Sequence, residues 1–350
     1  MFTKKLLVAL LISSSISAVA FAQSGRWTAA EVKAASGKEG CQQLTALPKR
    51  LKKKWKIGFL NPNKGHPFFG VWSGAMQDAA KFYCAQFVES DSAGDYTKQQ
   101  DLLETMLAAK PNLVGNGGTG PDIYEGLAAR LQEVKTPFLG MDNGPSEYSP
   151  YVFGIPDFFA GKTGADLIAK GVEARQKTDW KGKELFFIEF THKGVPACAN
   201  RTGAAAKAFQ AKFKLDKAHV LLVDVATGQS ATDGVKAVLA AHKDAAFAMI
   251  PCWDGLGFEA YNAAKDSGRE KDVMLVTLGG DKPSADLLVT KPIGFYGYVE
   301  FQPYCEGWGW VETSLAILEG LQAQPYQTRR VTTQADIDAR YRELYGEPKK

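Results

Sequence analysis

The sequence predicts an α/β protein with two Rossmann-like lobes, each built on a parallel sheet. Short strands that are apolar at nearly every position alternate with helices of ten to seventeen residues. That is the pattern of parallel strands covered on both faces. The pattern runs once to Pro156 and then starts again. The chain of 350 residues also exceeds the size at which a single core stops growing, so two domains are expected.

In chain order, WKIGFL is the first strand, and residues 68–84 carry apolar positions at helical spacing. YCAQFVES reads as a strand, 97–109 as a helix, NLVGNG as a strand and 121–134 as a helix. TPFLGMD and the short extended YVFGI close the first half. Beyond Pro156 come a helix at 158–174, the strand KELFFIEF, and a helix at 200–214. HVLLVDV and AAFAMI are strands flanking a helix at 229–241. A helix at 256–267, the strands VMLVTLGG and IGFYGYVE, and a helix at 304–319 complete the pattern.

The first 22 residues, MFTKKLLVALLISSSISAVAFA, have a basic start, an apolar stretch and small residues at Ala20 and Ala22. This is the layout of a secretory signal peptide cleaved after Ala22, which marks the mature protein for export. Removing 22 of 350 residues leaves 328, and the net charge of +4 falls to about +2 because the leader carries two lysines and no acid. A balance so near neutral argues against nucleic-acid binding, and 45% hydrophobic content argues against disorder. No later segment is apolar enough to span a membrane.

Residues 23–54 read as an exposed extension ending in the solvated basic run Lys49, Arg50, Lys52, Lys53 and Lys54. Five cysteines in an oxidising compartment leave at least one unpaired. Cys41–Cys84 would tie the extension to the first helix, and Cys252–Cys305 would join two strand ends. Chain order does not choose between pairings.

Ligands of open α/β sheets gather beyond the carboxyl ends of the strands. Those ends are Asn61 to Phe69, Asn116 to Thr119, Asp142 and Asn143, Thr191 to Arg201, Ala226 to Gln229, Cys252 to Asp254, and Gly279 to Asp281. An enzyme reading finds little support. There is no G-x-S-x-G elbow, and GNGGTG at 115–120 has neither the dinucleotide nor the P-loop order. His192 and Cys198 give no reason to be paired. No cofactor or metal is expected.

The opening IGFLNPNKGHPFFGVWSGAMQDAA, the later FLGMDN, and WDGLGFEAYNAA followed by VMLVTLGG resemble the periplasmic sugar-binding proteins of the ribose- and galactose-binding kind. The resemblance covers roughly residues 55–325. It implies a type I periplasmic binding protein, in which a three-crossing hinge joins lobe one (55–155 plus 302–325) to lobe two (156–301). Residues 326–350 would form a tail near the hinge. It also implies a monomeric solute receptor that hands a small sugar or polyol to the membrane permease of an ABC importer. A receptor serving a chemoreceptor or sensor kinase would use the same binding physics.

By that resemblance, Phe68 and Phe69 would lie against the apolar face of a pyranose, while Asp142 would accept bonds from ligand hydroxyls. Arg201, Trp253 with Asp254, and Gln302 fall at or beside further family contacts. Asn61, His66 and Asn143 stand at the same strand ends. The chemistry fits a polyol: acids and amides accept, an arginine fork donates, and rings supply a flat wall. Each also has a structural alternative: Phe68 and Phe69 as helix-start core, Asp142 as a turn cap, Trp253 as core edge. His66 and Trp253 stand where the family usually has asparagine, and Gly279-Gly280 replace its aspartate. These departures imply a flatter or less hydroxylated solute than ribose, or a sugar in another pose.

Overall fold

A computed structural model describes residues 25–37, 41–143, 146–154, 156–192, 195–225, 231–326 and 330–347. The leader and the strand end at 226–229 lie outside the described residues. Two parallel sheets organise the chain. The first has the order β2 (Gln86–Asp91), β1 (Lys56–Asn61), β3 (Leu113–Asn116). Bridges from Val114 to Phe138 and Gly117 to Met141 bring β4 (Gly140–Met141) beside it, and β4 pairs with β5 (Val152–Phe153).

In the second sheet, β6 (Leu185–Thr191), β7 (Val220–Asp224), β8 (Ala246–Met249), β9 (Val273–Gly279), β10 (Phe295–Glu300) and β11 (Val331–Thr333) lie in the order β11-β10-β9-β8-β6-β7. Only β11 is antiparallel.

Strand alternation sorts the first core. Ile57 and Phe59 face Trp72 and Met76 of α2 (Pro67–Phe82) and Trp308 and Trp310 of α10 (Pro303–Glu319). Leu60 turns to the opposite face, against Leu103 of α3 (Gln99–Ala108) and Leu127 of α4 (Pro121–Glu133). In the second sheet, α5 (Asp157–Gln176) and α6 (Pro196–Phe213) cover one face. The other is covered by α7 (Ala231–Ala241), α8 (Asp254–Asp266) and α9 (Lys282–Val289). The edge strands β2 and β7 are only half covered, and Leu222 on β7 is 65% exposed. Among the described residues no helix is long and apolar enough to cross a membrane.

Three expectations need correction. The extension is not an exposed lead-in. It carries α1 (Ala29–Ala35), closed by a Thr28–Glu31 capping box, and buries Val32, Leu44 and Leu47. The Trp27 ring packs on Phe82 at 4.3 Å. Its basic run, Lys49 to Lys54, does stay at the surface.

The cysteines also pair differently. The bonds are Cys41–Cys305 and Cys198–Cys252, and Cys84 is the free, exposed thiol. Cys84 follows the end of α2 at φ +56°, in the turn into β2, whereas Cys41 is buried over α10.

The segment read as a tail is part of the second sheet. β11 pairs with β10, and α11 (Ile337–Tyr345) packs on α9. A buried carboxylate anchors it: Arg340 Nε donates to Glu300 Oε1 at 2.9 Å and Oε2 at 3.0 Å, with both side chains 2% exposed. The chain thus leaves the first sheet after β5, returns from the second after β10 into α10, and is in the second sheet again at β11.

Candidate functional site

The strand ends of both sheets converge on a cavity of about 410 Å³. Thr119, Tyr124, Asp142 and Asn143 line it from the side of the first sheet, Ala197 and Asn200 from that of the second, and Val152, Phe153, Gly154, Pro156 and Asp157 lie between. Asn143 fixes part of the wall. Its Nδ2 donates to the Met141 carbonyl at 3.2 Å, and its Oδ1 accepts from Thr119 N at 3.3 Å. The Tyr124 hydroxyl is buried and has no hydrogen-bond partner among the described residues.

Arg201 is the hub. It lies on α6, 8% exposed, with its guanidinium 4.7 Å from the centroid of the Phe301 ring. Nε donates to Asp157 Oδ1 at 2.8 Å, and Nη1 donates to the Cys252 carbonyl at 3.4 Å. Nη2 stands 3.8 Å from Asp142 Oδ2, so this one side chain spans the two sheets.

Asp157 opens α5 just after Pro156, at the positive end of the helix dipole. α5 and α6 approach closely because position 161 is glycine: a Cβ there would stand 2.0 Å from the Arg201 carbonyl oxygen. Burial raises the Asp157 carboxyl above its ordinary range, Arg201 pulls it down, and Asp142 pushes it up again.

Asp142 ends β4 at φ +57°, a left-handed conformation that aspartate tolerates better than most residues. Its N–H donates to the Phe153 carbonyl at 3.0 Å. Gly154, at φ +129°, keeps the facing strand clear, since a Cβ there would lie 2.4 Å from Asp142 Oδ1.

Beside Asp142 stands Glu306, in the first turn of α10 and fully buried. Trp72 Nε1 donates to its Oε2 at 2.8 Å. Burial first, and then the Asp142 charge and the hydrogen bond between the two acids, push the Glu306 carboxyl well above its usual range. Arg201 opposes this. The pair therefore holds a proton more tightly than two separated acids would.

The remaining residues named from sequence form a neighbouring group outside that wall. Phe68 and Phe69 pack on Trp72 with centroids at 5.1 and 5.0 Å, and Phe68 lies 6.4 Å from Phe301. His66 caps α2 through Nδ1, which accepts from Phe68 N at 3.2 Å. Desolvation lowers its pKa, while the Asp254 charge raises it across the gap.

Trp253 stands half-buried at the start of α8, 6.0 Å from the His192 ring. Asp254 turns inward, 3% exposed, and accepts from Asp281 N at 3.0 Å. Burial, then the Asp281 charge, pushes its carboxyl up to about 7. Asp281 caps α9 by accepting from Ser284 N at 3.0 Å.

Asn61 is not brought to the cavity. Its amide donates to Phe69 O and Glu89 Oε1 at 3.3 and 2.9 Å, and its carbonyl accepts from Asn63 N at 2.9 Å. Gln302 starts α10 at φ +54°, and its carbonyl accepts from Tyr326 Oη at 3.2 Å. Its neighbour Phe301 meets Arg201 instead.

Sequence reasoning missed Glu306, Asp157, Tyr124 and Phe301. Glu306 did leave a signal: it is one of two acids, with Glu312, in the largely apolar helix PYCEGWGWVETSLAIL. Among the described residues no group of acids, histidines and cysteines could hold a metal ion.

The model of one family, described as a periplasmic binding protein domain, matches residues 57–322. No curated protein matches the chain. Solved structures with the same fold include a solute-binding protein from Bacillus halodurans C-125 with bound myo-inositol. It has a TM-score of 0.68 at 14% identity, covering 83% of this chain and 98% of that one. A solute-binding protein from Agrobacterium vitis with bound allitol gives 0.66 at 20% identity, covering 83% and 99%. An ABC sugar transporter subunit from Rhodobacter sphaeroides 2.4.1 gives 0.65 at 18%, covering 79% and 96%.

Proposed function

Because the chain belongs to the periplasmic binding protein family, a family of binding proteins rather than enzymes, we propose that it is the periplasmic solute receptor of an ABC importer. In this reading the solute is a small sugar or polyol-like molecule held between the two sheets. The observation that carries it is the cavity of about 410 Å³ with Arg201 reaching from one sheet toward Asp142 of the other. That volume lies within the range of small-molecule sites.

The polar inventory suits hydroxyls. Asp142 and Asn143 offer acceptors, Thr119 and Tyr124 offer hydroxyls, and Phe68 and Phe301 offer ring faces nearby. A solute that touches both walls stabilises the closed arrangement over the open one, and that difference drives closure. The closed monomer then presents both lobes to a membrane permease.

A thermal-shift screen of purified mature protein against pentoses, hexoses, polyols and small aromatic acids tests the reading. A shift confined to one class supports it, because a solute that binds only the folded state raises the melting temperature. Folded protein that shifts with none of them refutes it.

A further inference from the structure

The Cys198–Cys252 disulfide stands where strand pairing has stopped. β6 and β8 are neighbours with a register from Leu185↔Ala246 to Ile188↔Met249, and beyond that their chains run into the α6 and α8 connections. The bond joins the first turn of α6 to the β8–α8 connection, with both cysteines buried at the cavity end of the sheet. The second-lobe core behind it is large and continuous, and a protein of this size does not need a disulfide to hold its core. Both ends of the bond serve the site. Arg201 follows Cys198 by three residues on the same helix, hence on the same face. The Cys252 carbonyl accepts the Arg201 Nη1 hydrogen bond at 3.4 Å, and Trp253 is the next residue.

We infer that Cys198–Cys252 is a positioning element of the cleft, which fixes Arg201 and Trp253 relative to each other. The inference rests on reading this cleft as the solute site. Without the covalent tie, the first turn of α6 and the β8–α8 connection move independently, and the guanidinium loses its fixed acceptor.

The test compares wild type with C198S/C252S, with C198A/C252A in case buried serines impair folding. Leu239→Ala, in the α7 core away from the cleft, serves as a variant that is destabilised with the disulfide intact. Amide hydrogen exchange is the first readout. Exchange at least tenfold faster at 198–204 and 252–256, with β8, β9 and α7 unchanged, supports positioning. Acceleration spread evenly through the lobe, as for Leu239→Ala, overturns it, and so does no change. Calorimetry with myo-inositol, allitol and D-arabinose is the second. For any of these that wild type binds, positioning predicts at least tenfold weaker binding in the cysteine variants and unchanged binding in Leu239→Ala. Equal affinity overturns the inference. Wild type that binds none of them counts against the solute-receptor reading, while the exchange result still decides on positioning.

Discussion

Arg201 offers a test that needs no ligand. Its Nε–Asp157 bond of 2.8 Å is charge-assisted and largely out of water, with side chains 10% and 18% exposed. Such a bond is worth about 1.5–3 kcal/mol. Arg201→Ala also removes the contact with the Phe301 ring, about 1 kcal/mol. Among the described residues it leaves Asp157 with the Asn200 amide at 3.5 Å as its side-chain hydrogen-bond donor. A total loss of about 3–5 kcal/mol follows, as for other broken buried pairs. Asp157→Ala should cost less, about 2 kcal/mol, since the guanidinium keeps the Cys252 carbonyl, Asp142 and Phe301. Urea unfolding of both single variants and the double variant should then give a coupling of about 2 kcal/mol. The Arg201–Asp142 cycle, at 3.8 Å, should give a smaller value. Additivity within about 0.5 kcal/mol for Arg201 and Asp157 would falsify the hub.

Asp254, raised from 3.8 to about 7, binds a proton in the folded state that the unfolded chain has already released at intermediate pH. Stability should therefore be fully present below about pH 4 and fall as pH rises towards 7, by up to about 4 kcal/mol if Asp254 acted alone. Asp254→Asn keeps an acceptor for Asp281 N, so its denaturation midpoints should lose that slope; an unchanged slope assigns the pH dependence elsewhere. Replacing Cys41 and Cys305 by serine opens a link across 264 residues and should cost about 2–5 kcal/mol, read as a lower melting temperature. In the native protein a thiol reagent should label one cysteine, Cys84, and labelling of more would contradict the pairing. Gly161→Ala should cost at least 1–3 kcal/mol by pushing α5 off α6, and wild-type stability in calorimetry would show that the helices can give.

The parallel sheets were legible because buried strands are written as apolar runs, and VMLVTLGG became β9 with every residue buried. Asp142, Asn143 and Arg201 were legible as strand-end or helix-start residues: Asp142 and Asn143 line the cavity, and Arg201 stands behind its wall, 3.8 Å from Asp142. Asn61 had the same address, yet its amide is consumed by Glu89, a partner that no spacing announces. Asp157 and Glu306 act through contacts 44 and 164 residues away, with Arg201 and Asp142, so local patterns carried no trace of their role. The extension was misread because its apolar residues, Val32, Leu44 and Leu47, show no regular period, only a surface to cover.

The strap across α10 also bears on the order of folding. Residues 27–37 and 41–49 lie on the first lobe through Leu44 N and the buried Glu312, and through a sulfur bridge from Cys41 to Cys305. Those partners, at 305 and 312, are made after strands β6 to β9, which need nothing beyond residue 300 to pair. Closing so long a loop is entropically slow. The first lobe should thus be completed only after strands β6 to β10 have been made, and its N-terminal segment must wait, uncovered, until α10 arrives.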